Sequence, residues 1–268
     1  MDRIKLIAVL CAGVVASQAL AQQHSKPMRN PQSAAERQAM QTEQEKIRRF
    51  KTDEGEMGQT RWTEYTVNPA AKGEGTLVLV LGGRDSLGSS SPPDELPSLI
   101  AYAKTQVKGK VVFIVPKPRG GGVGGRMMRN GAMFGGENAL TINNLPKLVK
   151  HFTEKHAVSK GKVLATGTSM GGHQLLGLLN DDPGLVTKAL VVASAGDTSA
   201  LADVRTQVRM VHGDCDDAIP LFKAQATADA INKSHPGTAS LVTVKGKDHV
   251  GAMKEAFGKK DNLKWLFN

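Results

Sequence analysis

Six short aliphatic runs, each set off by glycine, proline or aspartate, constrain this chain more than any other feature. They are Thr76–Leu81, Val111–Val115, Lys162–Ala165, Ala189–Ala193, Val208–Val211 and Ser240–Val244. Each is four to six residues long and rich in valine. A continuous apolar run of that length between turn formers fits a strand buried on both faces. Helical periodicity fills the intervals, over Glu95–Val107, Ala139–His156, Gly172–Leu179, Leu221–Lys233 and Ala252–Leu266. Strands alternating with amphipathic helices predict an α/β fold, a mostly parallel central sheet with helices on both faces. Trp62–Val67 alternates apolar and polar residues and reads as an edge strand. No repeat of solenoid or propeller length is visible. At 268 residues the chain suffices for one large domain of this kind.

The N-terminus reads differently. Arg3 and Lys5 precede an apolar stretch, Ile7–Val15, and Ala19-Leu20-Ala21 supplies small residues at a cleavable spacing. This is the layout of a signal peptide over residues 1–21, so the chain is expected to be exported, to the periplasm or beyond. The stretch is too short to stay as a transmembrane anchor. Cleavage would take Cys11 away and leave Cys215 as the single cysteine, so no internal disulfide is expected. Residues 22–60 are rich in Gln, Lys, Arg and Glu and read as a polar arm or spacer, with Ala34–Lys51 either a surface helix or disordered. The domain proper is expected over 61–268. The net charge of +10 permits association with anionic surfaces but selects none, so no specific nucleic-acid partner is assigned.

In open α/β sheets function gathers at the carboxyl ends of the strands. The strand ending at Thr166 runs into Gly167-Thr168-Ser169-Met170-Gly171-Gly172 and then into a helix. This is Gly-x-Ser-x-Gly in a strand–turn–helix context, where a tight turn projects the serine hydroxyl above the sheet. A hydroxyl is a weak nucleophile until a base takes its proton. Two later strand ends supply candidates. Val208–Val211 leads into His212-Gly213-Asp214-Cys215-Asp216-Asp217, and Ser240–Val244 leads into Lys245-Gly246-Lys247-Asp248-His249. His249 can serve as general base, oriented by one of the aspartates. An oxyanion hole needs two backbone N–H groups. Met170, directly after the serine, offers one, and Gly83 or Arg84, in the loop after Thr76–Leu81, offers the other.

These pieces, taken with His212-Gly-Asp-Cys-Asp216-Asp-Ala-Ile-Pro220, resemble the α/β-hydrolase superfamily over about residues 60–268. The resemblance implies that the aspartate four before the proline, Asp216, is the acid of a Ser169–His249–Asp216 triad. Asp214 and Asp217 are then solvent-facing turn residues, and His212 braces the loop. Within the superfamily the chain is most similar to compact serine esterases without a large cap domain: the polyhydroxybutyrate depolymerase, feruloyl esterase and dienelactone hydrolase kinds. Leu81-Gly82-Gly83-Arg84 departs from the His-Gly start common in that group. The implied activity is hydrolysis of a small or polymeric carboxylic ester through an acyl-enzyme, with no cofactor. The same machinery serves peptide cleavage or acyl transfer, and a non-catalytic exported binding protein is a further alternative.

Pro116–Gly136 is rich in glycine and carries Lys117, Arg119, Arg126 and Arg129. It reads either as a substrate loop, in which Arg126 and Arg129 hold an anionic group, or as a flexible connection with solvated charges. His173, in the first turn after Ser169, is a further substrate-binding candidate. His151 and His156 read as surface residues of a helix. No histidine pair has the spacing of a metal site, so no metal is expected.

Overall fold

The computed structural model describes residues 34–87, 91–118 and 144–268. The expected signal peptide, the arm up to residue 33, and both Arg126 and Arg129 lie outside the described residues. The chain divides into two units, one ending at Thr42 and one running from Glu43 to Asn268. Of the first, the described part is helical, the opening of α1 (Ala34–Arg48).

The second unit is built on an eight-stranded sheet, β1 (Lys51–Met57), β2 (Thr60–Val67), β3 (Gly75–Leu81), β4 (Val111–Pro118), β5 (Val158–Thr168), β6 (Lys188–Val192), β7 (Gln207–Gly213) and β8 (Ala239–Val244). Their order across the sheet is β1-β2-β4-β3-β5-β6-β7-β8. The β1–β2 and β2–β4 pairs are antiparallel, and every pair from β4 to β8 is parallel. The mostly parallel sheet expected from the aliphatic runs is therefore present.

Alternation along the central strands divides the core. Leu77, Leu79 and Leu81 of β3 face one layer, and Val78 and Val80 face the other. The first layer packs under α4 (Leu145–Lys155), α5 (Met170–Asp181) and α6 (Leu221–Ser234), through Leu148, Phe152, Leu175, Leu179 and Ile231. The second lies under α3 (Leu96–Gln106), α7 (His249–Gly258) and α8 (Lys260–Phe267), through Leu99, Ile100, Ala252, Ala256 and Leu266. A short α2 (Arg84–Leu87) follows β3. Burying each such aliphatic side chain stabilises the fold by about 1.5–3 kcal/mol. Between β6 and β7 the described chain holds only the 3-10 turn Thr198–Ala200, and no cap domain stands there. Among the described residues no helix is long and apolar enough to cross a membrane.

Three expectations are corrected. Trp62–Val67 is not the sheet edge, because Lys51–Met57, expected in the polar arm, pairs outside it. Ile47 and Phe50 pack into the second layer, so the chain is docked on the core well before residue 61. The helix expected over Ala252–Leu266 is two, broken at Lys259, whose ψ of 119° is extended backbone.

Candidate active site

Backbone geometry is most constrained at the turn from β5 into α5. Ser169 sits there with φ 49° and ψ −116°, a conformation that costs a non-glycine residue about 1–3 kcal/mol. The turn closes because its neighbours lack Cβ. A methyl on Gly171 would overlap the carbonyl oxygens of Leu81 and Gly82, and one on Gly167 would come within 2.6 Å of the Gly171 oxygen. The neighbouring β6 holds the serine in place. Its Val192 oxygen accepts from the Ser169 N–H at 2.9 Å, and Ser194 Oγ donates to the Ser169 oxygen at 2.7 Å.

The structure brings Ser169, His249 and Asp216 together. Ser169 Oγ lies 3.0 Å from His249 Nε2, and His249 Nδ1 lies 2.8 Å from Asp216 Oδ2. The Asp216 side chain is fully buried, and its Oδ1 accepts from the N–H groups of Ala218 at 3.0 Å and Ile219 at 2.8 Å. Burial alone would raise the Asp216 carboxyl. The hydrogen bonds from His249 and the Ile219 N–H, with the nearby imidazoles of His249 and His212, outweigh it and hold the group below the usual carboxylate value. An ionised carboxylate only accepts, so Nδ1 carries the proton and Nε2 is left to accept from the serine hydroxyl. That arrangement can take a proton from Ser169 as the oxygen attacks.

His212 is buried beneath this loop. Its Nε2 donates to the Ile219 oxygen at 2.7 Å and stands 3.3 Å from Asp216 Oδ2. Asp214 and Asp217 are both exposed, as is Cys215 between Asp214 and Asp216. His249 is the first residue of α7, whose N-cap Asp248 accepts from the Gly251 N–H at 2.8 Å.

The three oxyanion candidates lie at one place. Met170 is the first residue of α5 and Arg84 the first of α2, so the N–H of each lacks an intrahelical acceptor. Gly83 lies against the serine: a Cβ built on it would be 3.6 Å from Ser169 Cβ. His173 is exposed, and its Nδ1 donates to the Ala195 oxygen at 3.0 Å. His156, expected at the surface, is instead half-buried with Nε2 3.0 Å from Glu64 Oε2, an acceptor it shares with Lys155 at 2.8 Å. A hollow of about 310 Å³ lined by Arg209, Val242, Glu255 and Lys259 contains none of the serine, histidine or aspartate.

Two residues beside Ser169 escaped sequence reasoning. Ser194 directly follows an expected strand, where the strand-end rule could have singled it out. Glu95 reads only as a helix start. It is buried, and its Oε1 accepts from Thr168 Oγ1 at 3.1 Å.

No protein-family model and no curated protein matches the chain's sequence. Solved structures do resemble its fold. A thermostable esterase aligns over 82% of this chain with a TM-score of 0.65 at 15% identity, and the chain spans 63% of that esterase's length. Est1E from Butyrivibrio proteoclasticus aligns over 81% of this chain and 97% of its own, with a TM-score of 0.58 at 11% identity. An alpha-beta serine hydrolase homologue from Coxiella burnetii aligns over 80% and 94%, with a TM-score of 0.54 at 16% identity. At these identities the likeness is one of fold.

Proposed function

The chain has the α/β-hydrolase fold, and on that premise we propose that it is an exported serine hydrolase that cleaves carboxylic esters. The observation that carries the reading is the hydrogen-bonded series Ser169 Oγ, His249, Asp216, with Ser169 held at a strained turn above the sheet. Ser169 attacks the ester carbonyl while His249 Nε2 accepts its proton. The N–H of Met170 and that of Gly83 or Arg84 stabilise the oxyanion. His249 then protonates the departing alcohol, leaving an acyl-enzyme. Water, deprotonated by His249, releases the acid and restores Ser169. Asp216 keeps the imidazole in the required tautomer throughout.

Substrate contacts are proposed for His173, and for Arg126 and Arg129. The short β6–β7 connection, which holds no cap domain, supports small or polymeric esters. The leader over residues 1–21 supports export.

A fluorophosphonate probe tests the reading directly. It is expected to label Ser169 in the wild type and nothing in Ser169→Ala. A panel of p-nitrophenyl esters of increasing chain length, a peptide anilide and an added alcohol acceptor then separates hydrolase, peptidase and acyltransferase. An unlabelled wild type that turns over none of these overturns the proposal in favour of a binding protein.

A further inference from the structure

One short segment touches the residue just before each half of the proposed oxyanion hole, Gly82 ahead of Gly83 and Thr168 ahead of the nucleophile. Pro93 packs on Gly82, so that a Cβ there would come within 2.9 Å of the proline ring. Two residues on, Glu95 accepts from Thr168 Oγ1 at 3.1 Å, and Thr168 is the residue before the nucleophile. Thr168 Oγ1 in turn lies 3.6 Å from the Cβ position of Gly83. The loop that follows β3 and the end of β5 are thus spaced by a common wedge, with a carboxyl group at its tip.

That carboxyl is in an unusual place. Glu95 is 6% exposed and Thr168 2%, and among the described residues no cationic side chain pairs with Glu95. The charged groups around it are Asp94 on its own segment, and Asp85 of α2 and Lys254 of α7, which face Asp94. An unpaired buried charge is costly, so the uncharged acid is the form this packing favours. A negative charge there would also stand close to the oxyanion the site must stabilise.

We infer that Glu95 is a positioning residue for the oxyanion hole, holding Thr168 against Gly83 in its uncharged form and weakening the hole when it ionises. The inference rests on the reading of Ser169 as nucleophile. Burial pushes the Glu95 carboxyl up to about 7, with the Asp94 charge adding to the effect. Its own N–H and the Thr168 hydroxyl pull the other way. Turnover therefore falls on the alkaline side as Glu95 loses its proton.

The experiment follows kcat and KM for p-nitrophenyl butyrate from pH 5 to 9 in wild type, Glu95→Gln and Thr168→Val, with fluorophosphonate labelling of each. Glutamine keeps the acceptor oxygen and cannot ionise. The ratio of kcat at pH 9 to kcat at pH 6 is expected to be roughly tenfold higher in Glu95→Gln than in wild type, with KM little changed. Thr168→Val removes a hydrogen bond that favours the ionised acid, so its alkaline limb moves to higher pH. A wild-type profile in Glu95→Gln overturns the inference. Should that variant fail to fold, an unmoved limb in Thr168→Val overturns it instead. A wild type that does not label overturns the serine reading itself, and this inference with it.

Discussion

His249 Nε2 stands 3.0 Å from Ser169 Oγ although the two residues are 80 positions apart and rooted on different strands. Ser169 follows β5, and His249 follows β8 at the sheet's far edge, with β6 and β7 between them. Neighbouring strands lie about 4.8 Å apart, so the strand ends alone would hold the two residues well beyond contact. The connection after β8 closes the gap by returning over the rim, where Asp214 Oδ1 accepts from the Gly246 N–H at 2.6 Å and the Lys247 oxygen accepts from the Cys215 N–H at 3.1 Å. The loop bearing the base is fastened to the loop bearing the acid.

Replacing Ser169 tests the chemistry and the strain together. Ser169→Ala is expected to lower ester turnover by at least about 10⁴-fold while leaving the fold intact. Ser169→Gly should be equally inactive yet more stable than Ser169→Ala by about 1 kcal/mol, because glycine adopts φ 49° without penalty. Thermal melts and steady-state rates of the two variants check both statements.

Asp216 carries a pH signature. Its folded-state value is depressed, so its contribution to stability is present above the unfolded carboxylate value near 3.8 and is lost as pH falls through the lower folded value. Asp216→Asn should therefore be less stable than wild type at pH 7, and the difference should narrow only below about pH 4. Turnover should fall by about 10⁴-fold in the same variant, since asparagine can present an N–H to Nδ1 and favour the wrong tautomer. Melting temperatures and kcat across pH measure the two effects.

Glu95 has the opposite sign. Its folded value near 7 lies above the unfolded 4.5, so stability is fully present below pH 4.5 and declines as pH rises through 7. Glu95→Gln removes that decline. The variant is expected to gain on wild type by on the order of 3 kcal/mol between pH 4 and pH 8. Denaturant unfolding at the two pH values is the measurement, and it needs no substrate.

Two glycines of the same helix should behave in opposite ways. Gly171→Ala drives a methyl into the Leu81 and Gly82 carbonyls and is expected to cost more than 3 kcal/mol or prevent folding. Gly177, also in α5, has nothing within 4 Å of its Cβ position. Gly177→Ala should stabilise by about 1 kcal/mol through helix propensity. Unfolding midpoints of the pair decide whether the close approach or the helix sets each residue.

How much of this was legible depended on what kind of force placed each element. β3 to β7 were readable because burial on both faces writes itself as aliphatic runs, and β8, an edge strand with Val242 exposed, because its run is aliphatic even so. Lys51–Met57 was not, since an exposed edge strand is specified by the partner it pairs with and shows no apolar pattern. The break at Lys259 was equally hidden, because Ala256, Phe257 and Leu263 continue an apolar face across it. At the candidate site, Ser169 and its glycines announced themselves through a local turn, while the choice of Asp216 over Asp214 and Asp217 came from resemblance alone. The structure separates the three by burial. Glu95 was illegible for a different reason: its neighbour Thr168 is 73 positions away, and nothing near it in sequence marks the contact.

The charges along β1 have a consequence for the protein among its own copies. A sheet of eight strands ends in a row of unpaired backbone groups, an invitation to any passing strand. At this border the invitation is withdrawn by Lys51, Asp53, Glu54 and Glu56 in a single seven-residue strand, most of it exposed. A second chain docking there would have to bury those charges. The residues least informative about the fold are thus the ones that guard this edge against strand addition.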